Sequence, residues 1–381
     1  MQVPGVVTGV ERLNEWLPLI EGKRVGLVVN HSSVIGGRHL VDTLCDLGHC
    51  VSRIFAPEHG FRGSAADGEE IRDGQDVRTG IPIISLYGKK KSPAPEDLDN
   101  VDVIVFDIQD VGTRFYTYIT TLFYLLEACS EQGKTIIVLD RPNPNGHYVD
   151  GPVLDMRLVS FVGAVPLPIV HGCTVGELAR LFSGENWIRQ PQPLDLRVIA
   201  CQNYTHQTPY DLPVNPSPNL PNMRAVLLYP SLCLFEGTTV SVGRGTNMQF
   251  QVIGHPGFPQ DSFWFVPHAN SASRYPPQEG WVCKGYNFCN IPVDSFRTLH
   301  QLNLQYLLDF YRQIPEKQAF FLENGYFDLL AGTYSLRKQI EAGETEAAIR
   351  ATWQPDLESF KNIRKKYLLY QHCFTHLFCH C

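Results

Sequence analysis

An α/β fold is predicted for the first 150 residues of this 381-residue chain. Short apolar runs rich in β-branched residues alternate there with helix-like segments, a pattern typical of βαβ units around a parallel sheet. Hydrophobic residues make up 44% of the chain and charged residues 19%, which is typical of a compact globular protein. The length allows one large domain or two. We place a soft boundary near residue 150, with a transition to about residue 230, and expect a second unit over 151–370.

The elements of the first part follow from these runs. Strands are predicted at 24–29, 51–56, 81–86, 101–106 and 135–139, and helices near 39–47 and 118–132. Gly48 and Gly133 follow the two helices, as a left-handed C-terminal cap requires.

The rest of the chain is predicted to mix helices and strands. Thr174 and Glu177 match a helix capping box. The proline- and asparagine-rich stretch from 190 to 220 is expected to cross the surface without forming helix. Strand-like runs lie at 226–229, 238–242 and 281–283, and helices are expected near 298–312, 336–342 and 346–352, with a last one after Pro355.

Charge and hydropathy exclude several classes of partner. The net charge is −7 and no basic block stands out, so we expect no nucleic-acid partner. The longest apolar runs fall far short of the roughly 20 residues that a membrane span needs. The N-terminal residues show no secretory signal pattern. A small-molecule substrate is therefore the expected partner.

The sequence also lacks the common cofactor and disulfide signatures. No G-x-G-x-x-G follows the first strand and no phosphate loop is found, so we expect no nucleotide cofactor, and indeed no cofactor at all. Most of the eleven cysteines are interpreted as buried thiols, because a core of this size does not need disulfides.

Polar residues collect where the predicted strands end. Since ligands of open parallel α/β sheets bind outside the carboxyl ends of the strands, this edge is the predicted site. The residues concerned are Asn30, His31, Glu58, His59, Asp107, Asp110, Asp140 and Arg141.

Glu58 and His59 form the strongest local signal, because they follow an apolar strand directly. Pro57 and Gly60 restrict the backbone around them. A glutamate in a cleft at a strand end can act as a general acid. The alternative is a turn in which Glu58 caps the following loop.

A second cluster spans residues 107–116. Arg114 could clamp a carboxylate with both arms of its guanidinium, and Tyr116 could stack on a sugar or another ring. The alternative is that Asp107 or Asp110 pairs with Arg114 and stabilises the loop.

A third cluster contains Glu236, a second candidate carboxylate, and Arg244, which lies between Gly243 and Gly245. Arg244 could reach a ligand. The alternative is an ion pair between Glu236 and Arg244, with the two glycines serving only as turn residues.

Metal and serine-hydrolase chemistry are disfavoured. Asp107 and Asp110 could join His31, His59 and His171 in a metal site only if the fold gathers them, so no metal is predicted. The Cys- and His-rich segment 371–381 could hold zinc, but its position past the last core helix favours an appended tail. No G-x-S-x-G motif is present.

Seven blocks in one order resemble the NamZ-type exo-β-N-acetylmuramidases, a family long catalogued as a domain of unknown function. They are VGLVVN (25–30), APEHG (56–60), VFDIQDVGTRFYTY (105–118), LDRPNP (139–144), PSPNLP (216–221), EGT (236–238) and GRGT (243–246). The resemblance covers about residues 6–370. It implies two subdomains, one Rossmann-like and one α+β, with the active site in the cleft between them. It also implies an exo-acting hydrolase that removes terminal β-linked N-acetylmuramic acid from bacterial peptidoglycan fragments.

Carried onto this chain, the resemblance implies that Glu58 is the principal catalytic acid, with His59 beside it. Most glycosidases use two carboxylates. The partner of Glu58 could be Glu69, Glu70, Asp107, Asp110 or Glu236, of which we favour Glu236, or the 2-acetamido group of the substrate could act instead. Substrate binding is expected from Asn30, His31, Asp107, Asp110, Arg114, Tyr116, Asn219 and Arg244.

N-acetylmuramic acid carries a lactyl carboxylate, for which Arg114 or Arg244 would supply the complementary cation. A peptidoglycan substrate suggests the cell envelope, the periplasm or the exterior, whereas the absence of a signal pattern would otherwise suggest the cytoplasm. Two rival hypotheses are a non-catalytic peptidoglycan-binding protein and a metal-dependent hydrolase that uses Asp107, Asp110 and histidines.

Overall fold

The computed structural model describes residues 5–58, 60–62, 73–259 and 262–370. The strands in these ranges are β1 (Val25–Val29), β2 (Val34–Ile35), β3 (Arg38–His39), β4 (Val51–Ala56), β5 (Gly74–Gln75), β6 (Pro82–Ser85), β7 (Val103–Asp107), β8 (Thr135–Leu139), β9 (Asp150–Val153), β10 (Pro168–Val170), β11 (Leu196–Ile199), β12 (Val252–His255), β13 (Trp264–Phe265) and β14 (Cys283–Asn287). The α-helices are α1 (Leu13–Ile20), α2 (Leu40–Asp46), α3 (Pro95–Leu98), α4 (Tyr118–Glu131), α5 (Val175–Gly184), α6 (Met223–Leu232), α7 (Val293–Arg297), α8 (Gln305–Gln313), α9 (Tyr326–Ala331), α10 (Ser335–Glu341) and α11 (Glu346–Arg364).

A mostly parallel sheet dominates the first half of the chain. Its strands in the described ranges lie in the order β11-β8-β7-β1-β4-β6-β5, and only β5 runs antiparallel to its neighbour. In the centre, Val28 of β1 pairs with Phe55 of β4 and Phe106 of β7. The predicted α/β class is confirmed. The edge strand β11 comes from beyond residue 150.

The two faces of this sheet bury different side chains. Val25, Leu27 and Val29 point to the face covered by α1 and α2, whereas Val28 and Phe106 point to the opposite face. Strands buried on both faces read as continuous apolar runs, which is why the sequence predicts them well. Fully burying one such side chain contributes about 1.5–3 kcal/mol.

The hydrophobic core on the face of Val28 and Phe106 continues into the rest of the chain. Phe106 and Leu122, from β7 and α4, belong to the same buried cluster as Phe235, Phe310 and Leu357. The second half therefore packs against the sheet through a shared hydrophobic core.

The second half contains the largest differences from the sequence predictions. The apolar run 226–229 is not a strand but part of α6, because a short buried run fits a buried helix equally well. Segment 238–242 forms isolated bridges, such as Thr238 with Phe321, and contains no regular strand. Helix α8 begins at Gln305, seven residues later than predicted.

The two helices predicted at the C-terminal end are one continuous helix, α11. Thr345 caps it by accepting a hydrogen bond from the Ala348 backbone N–H. Pro355 lies inside the helix and cannot donate a backbone hydrogen bond. Burial of Trp353 and Leu357 on either side favours the helix across this position.

Several local predictions are confirmed. Gly48 and Gly133 adopt positive φ angles of 79° and 60° after their helices. Thr174 and Glu177 form the predicted capping box of α5. Five of the eight described cysteines are buried. No helix in the described ranges is long and apolar enough to cross a membrane.

Candidate active site

A cavity of about 660 Å³ lies past the carboxyl end of β4, between the sheet and the second half of the chain. Its lining residues come from both halves: Glu58, Tyr87, Phe115, Thr117, Phe161, Val162, Tyr229, Glu236, Arg244, Ser273, Arg274, Tyr275, Pro277 and Tyr326. Apolar rings with a few charged groups are typical of a small-molecule site. The described lining includes two carboxylates, Glu58 and Glu236.

Glu58 reaches the cavity from the loop that follows β4. Pro57 is buried and Glu58 is partly buried. The Thr117 hydroxyl, just before α4, donates a hydrogen bond of 2.7 Å to Glu58 Oε2. The Tyr118 hydroxyl donates at 3.5 Å to the Glu58 carbonyl oxygen. Contacts from the start of α4 thus fix both the backbone and the carboxyl group of Glu58.

Tyr116 and Tyr118 remain protonated beside this carboxyl group. Burial raises the pKa of both phenols above the ordinary value, and the nearby charge of Glu58 raises the pKa of each further. Both phenols are therefore hydrogen-bond donors.

Glu236 and Arg244 form an ion pair in the cavity wall. Arg244 Nε donates to Glu236 Oε1 at 2.5 Å, and Cys233 Sγ donates to Oε2 at 3.5 Å. This confirms the ion pair that the sequence left as an alternative. Since both side chains also line the cavity, the pair does not remove them from the site.

Two glycines position Arg244. Gly243 and Gly245 have φ angles of 79° and 78°, and an added Cβ would lie 2.6 Å from Val252 Cγ2 or from the His268 carbonyl oxygen. A side chain at either position would be strained and would clash with these neighbours.

A smaller pocket of about 50 Å³ branches from the cavity beside Glu58. Tyr116 and Asn219, both predicted to bind substrate, line this pocket and not the larger cavity. Ser217 and Leu220, with Asn219, are buried, so this part of the proline-rich stretch does not cross the surface as predicted.

Arg114 is not in the cavity, which corrects its predicted role as a carboxylate clamp. Its side chain is fully buried and donates to the carbonyl oxygens of Pro152, Leu167 and Leu330 at 2.7–3.0 Å. Burial lowers its pKa to about 9. The predicted pairing of Arg114 with Asp107 or Asp110 is also wrong, since Asp107 binds Arg141.

Asp107 and Asp110 lie at and just past the carboxyl end of β7, but they do not line the cavity. Arg141 donates to both oxygens of Asp107, at 2.6 and 2.9 Å, and this pair is almost fully buried. Asp110 accepts a hydrogen bond from the Gly112 backbone at 2.7 Å, and His171 Nε2 lies 3.6 Å from it. The expected substrate contacts of both aspartates are therefore corrected: these carboxylates hold loops together.

Asn30 and His31 have similar local roles. Asn30 is fully buried, and its Oδ1 accepts from the backbone N–H and hydroxyl of Ser32 at 2.9 and 2.6 Å. His31 Nε2 lies 2.7 Å from the Asn215 carbonyl oxygen. Neither residue lines the cavity, so their predicted substrate contacts are not found.

Three predicted groups lie outside the described residues: His59, the candidate pair Glu69 and Glu70, and the tail 371–381. Within the described ranges, no three His, Cys, Asp or Glu side chains are close enough together to hold a metal ion. The metal-dependent hypothesis thus finds no donor set in that part of the chain.

Most of the aromatic residues that line the cavity were not among the predicted site residues. Thr117 lies within the 105–118 block, so the sequence contained a signal for this residue. Tyr229 was hidden by the wrong strand prediction for 226–229. Tyr87, Phe161 and Arg274 lie outside regular elements, where no periodic pattern marks them.

Comparison with known proteins gives consistent results over most of the chain. Residues 25–224 match the family model "Exo-beta-N-acetylmuramidase NamZ, N-terminal", and residues 227–370 match the corresponding C-terminal model. The peptidoglycan β-N-acetylmuramidase NamZ of Bacillus subtilis is 39% identical over 386 residues, covering 96% of this chain and 92% of that protein.

Two solved structures from Bacteroides fragilis, both described as DUF1343 family proteins, share the fold. One is 45% identical with a TM-score of 0.89 and covers 97% of this chain and 99% of its own. The other is 26% identical with a TM-score of 0.83 and covers 97% and 100%, respectively.

Proposed function

Since this chain belongs to the NamZ family of exo-β-N-acetylmuramidases, and is a glycosidase that releases terminal N-acetylmuramic acid from peptidoglycan fragments, we propose that Glu58 is its catalytic acid. The observation that supports this assignment is that Glu58 and Glu236 line one cavity in different electrostatic surroundings. Glycosidases commonly assign different roles to two carboxyl groups in this way.

The surroundings suggest which carboxyl group has which role. Glu236 faces the guanidinium of Arg244, so it acts as the charged carboxylate that stabilises positive charge developing on the sugar. Glu58 is hydrogen-bonded to the neutral hydroxyl of Thr117. A hydroxyl can donate to a carboxylate and accept from a carboxylic acid, so it can remain bonded as Glu58 gives up its proton.

Recognition of the lactyl group is assigned to Arg274. The substrate carries this carboxylate in addition to the groups of N-acetylglucosamine, and an arginine can bind it with two hydrogen bonds. Arg274 is an exposed residue of the cavity lining, where a long guanidinium side chain can reach the carboxylate of an incoming sugar. Arg244 is assigned to holding Glu236.

The deciding experiment compares two leaving groups. Wild type and Glu58→Gln are assayed on para-nitrophenyl β-N-acetylmuramide and on a disaccharide with N-acetylmuramic acid at its non-reducing end. Nitrophenolate leaves without protonation, but a sugar hydroxyl needs an acid. We expect Glu58→Gln to lower turnover of the disaccharide by about 100-fold or more, and turnover of the nitrophenyl substrate much less.

Glu96→Gln, an exposed glutamate of α3, is the matched control and should behave as wild type. Equal losses of Glu58→Gln on both substrates would contradict the assignment of Glu58 as an acid. A parallel assay with a chelator tests the metal hypothesis, which would be supported by a loss that added metal restores.

A further inference from the structure

Five of the eleven residues that line the small pocket beside Glu58 are aromatic. It shares Glu58, Phe115, Thr117, Tyr229 and Arg244 with the main cavity. The remaining lining residues are Tyr116, Tyr118, Ser217, Asn219, Leu220 and Phe250. With a volume of about 50 Å³, it has room for a small substituent and not for a sugar ring.

The rings pack edge to face and are held in place. Tyr229 contacts Phe115, Tyr116 and Phe250 with ring centroids 5.4, 5.9 and 5.0 Å apart. The Tyr116 hydroxyl donates to the Pro216 carbonyl oxygen at 2.7 Å, and the Tyr118 hydroxyl to Glu58. Because these hydroxyls are already bonded, the rings offer mainly apolar surface, which suits a methyl group.

Asn219 adds one polar group to this pocket. Its side chain is 2% exposed, and its Nδ2 donates to the Ala272 carbonyl oxygen at 3.2 Å. That bond sets the orientation of the amide. Its Oδ1 is buried and finds no hydrogen-bond partner among the described residues. An unsatisfied buried acceptor is unfavourable, so a ligand that supplies an N–H gains affinity by pairing with it.

We propose that this pocket binds the 2-acetamido group of the terminal sugar, with Asn219 Oδ1 accepting its N–H and the aromatic cluster enclosing its methyl group. The inference rests on the proposed function, because it requires the scissile end of the substrate to lie beside Glu58. The lactyl carboxylate is assigned elsewhere, because in this pocket its charge would lie against Asn219 Oδ1, the carboxyl group of Glu58 and apolar ring surface.

The test uses binding, so that it does not depend on how the acetamido group takes part in the chemistry. Competitive inhibition is measured with three methyl β-glycosides that differ only at C2: the 2-acetamido muramide, its 2-propionamido analogue, and a 2-O-acetyl analogue with the same shape but no N–H. Wild type should bind the 2-acetamido compound about tenfold or more tightly than the 2-O-acetyl analogue. The propionamide should bind weakly because the pocket is small.

Asn219→Ala should reduce the preference for the acetamide over the O-acetyl analogue to nearly one, while Asn100→Ala, an exposed asparagine, should leave it unchanged. If Asn219→Ala does not fold, the wild-type preferences still decide: equal binding of all three compounds overturns the inference. A preference that survives in folded Asn219→Ala overturns the role of Asn219. Equal losses of Glu58→Gln on both leaving groups, with these preferences intact, would contradict only the acid assignment.

Discussion

Thr117 Oγ1 lies 2.7 Å from Glu58 Oε2 and joins the start of α4 to the loop after β4. The contact orients the carboxyl group of Glu58 at the cavity wall. Thr117→Val keeps the shape of the side chain but removes the hydroxyl. We expect it to lower kcat on the disaccharide by about 3- to 30-fold, with a smaller effect on the nitrophenyl substrate.

Thr117→Ser should recover most of the lost rate, because it restores the hydroxyl. Steady-state kinetics with both substrates provide the check. Identical rates for the serine and valine variants would show that the hydroxyl does not position Glu58.

Arg274 is predicted to determine sugar selectivity. Arg274→Met should lower kcat/KM for the nitrophenyl muramide by about tenfold or more, while changing the rate on the matching N-acetylglucosaminide little. Arg244→Met should reduce both rates, because it removes the partner of Glu236. Loss of selectivity in Arg244→Met alone would move carboxylate recognition to that residue.

Arg114 is predicted to act on stability and not on selectivity. Arg114→Lys keeps the charge but loses the fork that reaches three carbonyl oxygens. We expect the free energy of unfolding to fall by more than about 2 kcal/mol in urea titrations, since bonds from charged donors are strong. The ratio of muramide to glucosaminide hydrolysis should stay at the wild-type value below the melting temperature. A changed ratio would return Arg114 to substrate recognition.

Glu177 is predicted to make stability depend on pH. Its pKa is raised from 4.5 to about 8, chiefly by burial, and the nearby charge of Asp140 acts in the same direction. Because the folded protein favours the protonated acid, this contribution to stability is fully present below pH 4.5 and is lost as the pH rises towards 8.

Glu177→Gln stays neutral at every pH, but its single amide oxygen can accept from only one of the Thr174 and Leu369 backbone N–H groups, which bond to different oxygens of Glu177. The lost hydrogen bond lowers the Tm of the variant equally at both pH values, whereas the loss of stability with rising pH affects only wild type. The Tm of the variant relative to wild type should therefore rise by several degrees from pH 5 to pH 8. Glu358→Gln, on the exposed face of α11, serves as the control. A Tm difference that is the same at both pH values would contradict the prediction.

The sequence predicts the first half well because its strands are buried on both faces. Apolar runs such as 51–56 and 135–139 therefore match observed strands residue for residue. The run 226–229 is equally apolar, but it belongs to a buried helix whose outward face is also covered. The spacing of apolar residues cannot distinguish a helix from a strand where every face of the element is buried.

The site was predicted only in part, because contacts between residues distant in sequence decide which polar side chains face the cavity. Polar residues do follow the strands, as expected of an α/β sheet. Whether such a residue faces a ligand or a neighbour depends on pairs distant in sequence, such as Asp107 with Arg141 and Arg114 with Leu330. Glu58 differs because its hydrogen-bond partners Thr117 and Tyr118 both come from the start of α4, and Glu58 remains on the cavity wall.

The shared core of the two halves has a consequence for how substrate enters. Domains move relative to each other unless their interface is large and hydrophobic, and here one buried cluster extends from β7 to α11. The opening of the cavity is therefore set by packing and does not depend on a hinge. Binding of a muramide should proceed without a closure step, and the radius of gyration measured by small-angle X-ray scattering should be the same with and without ligand.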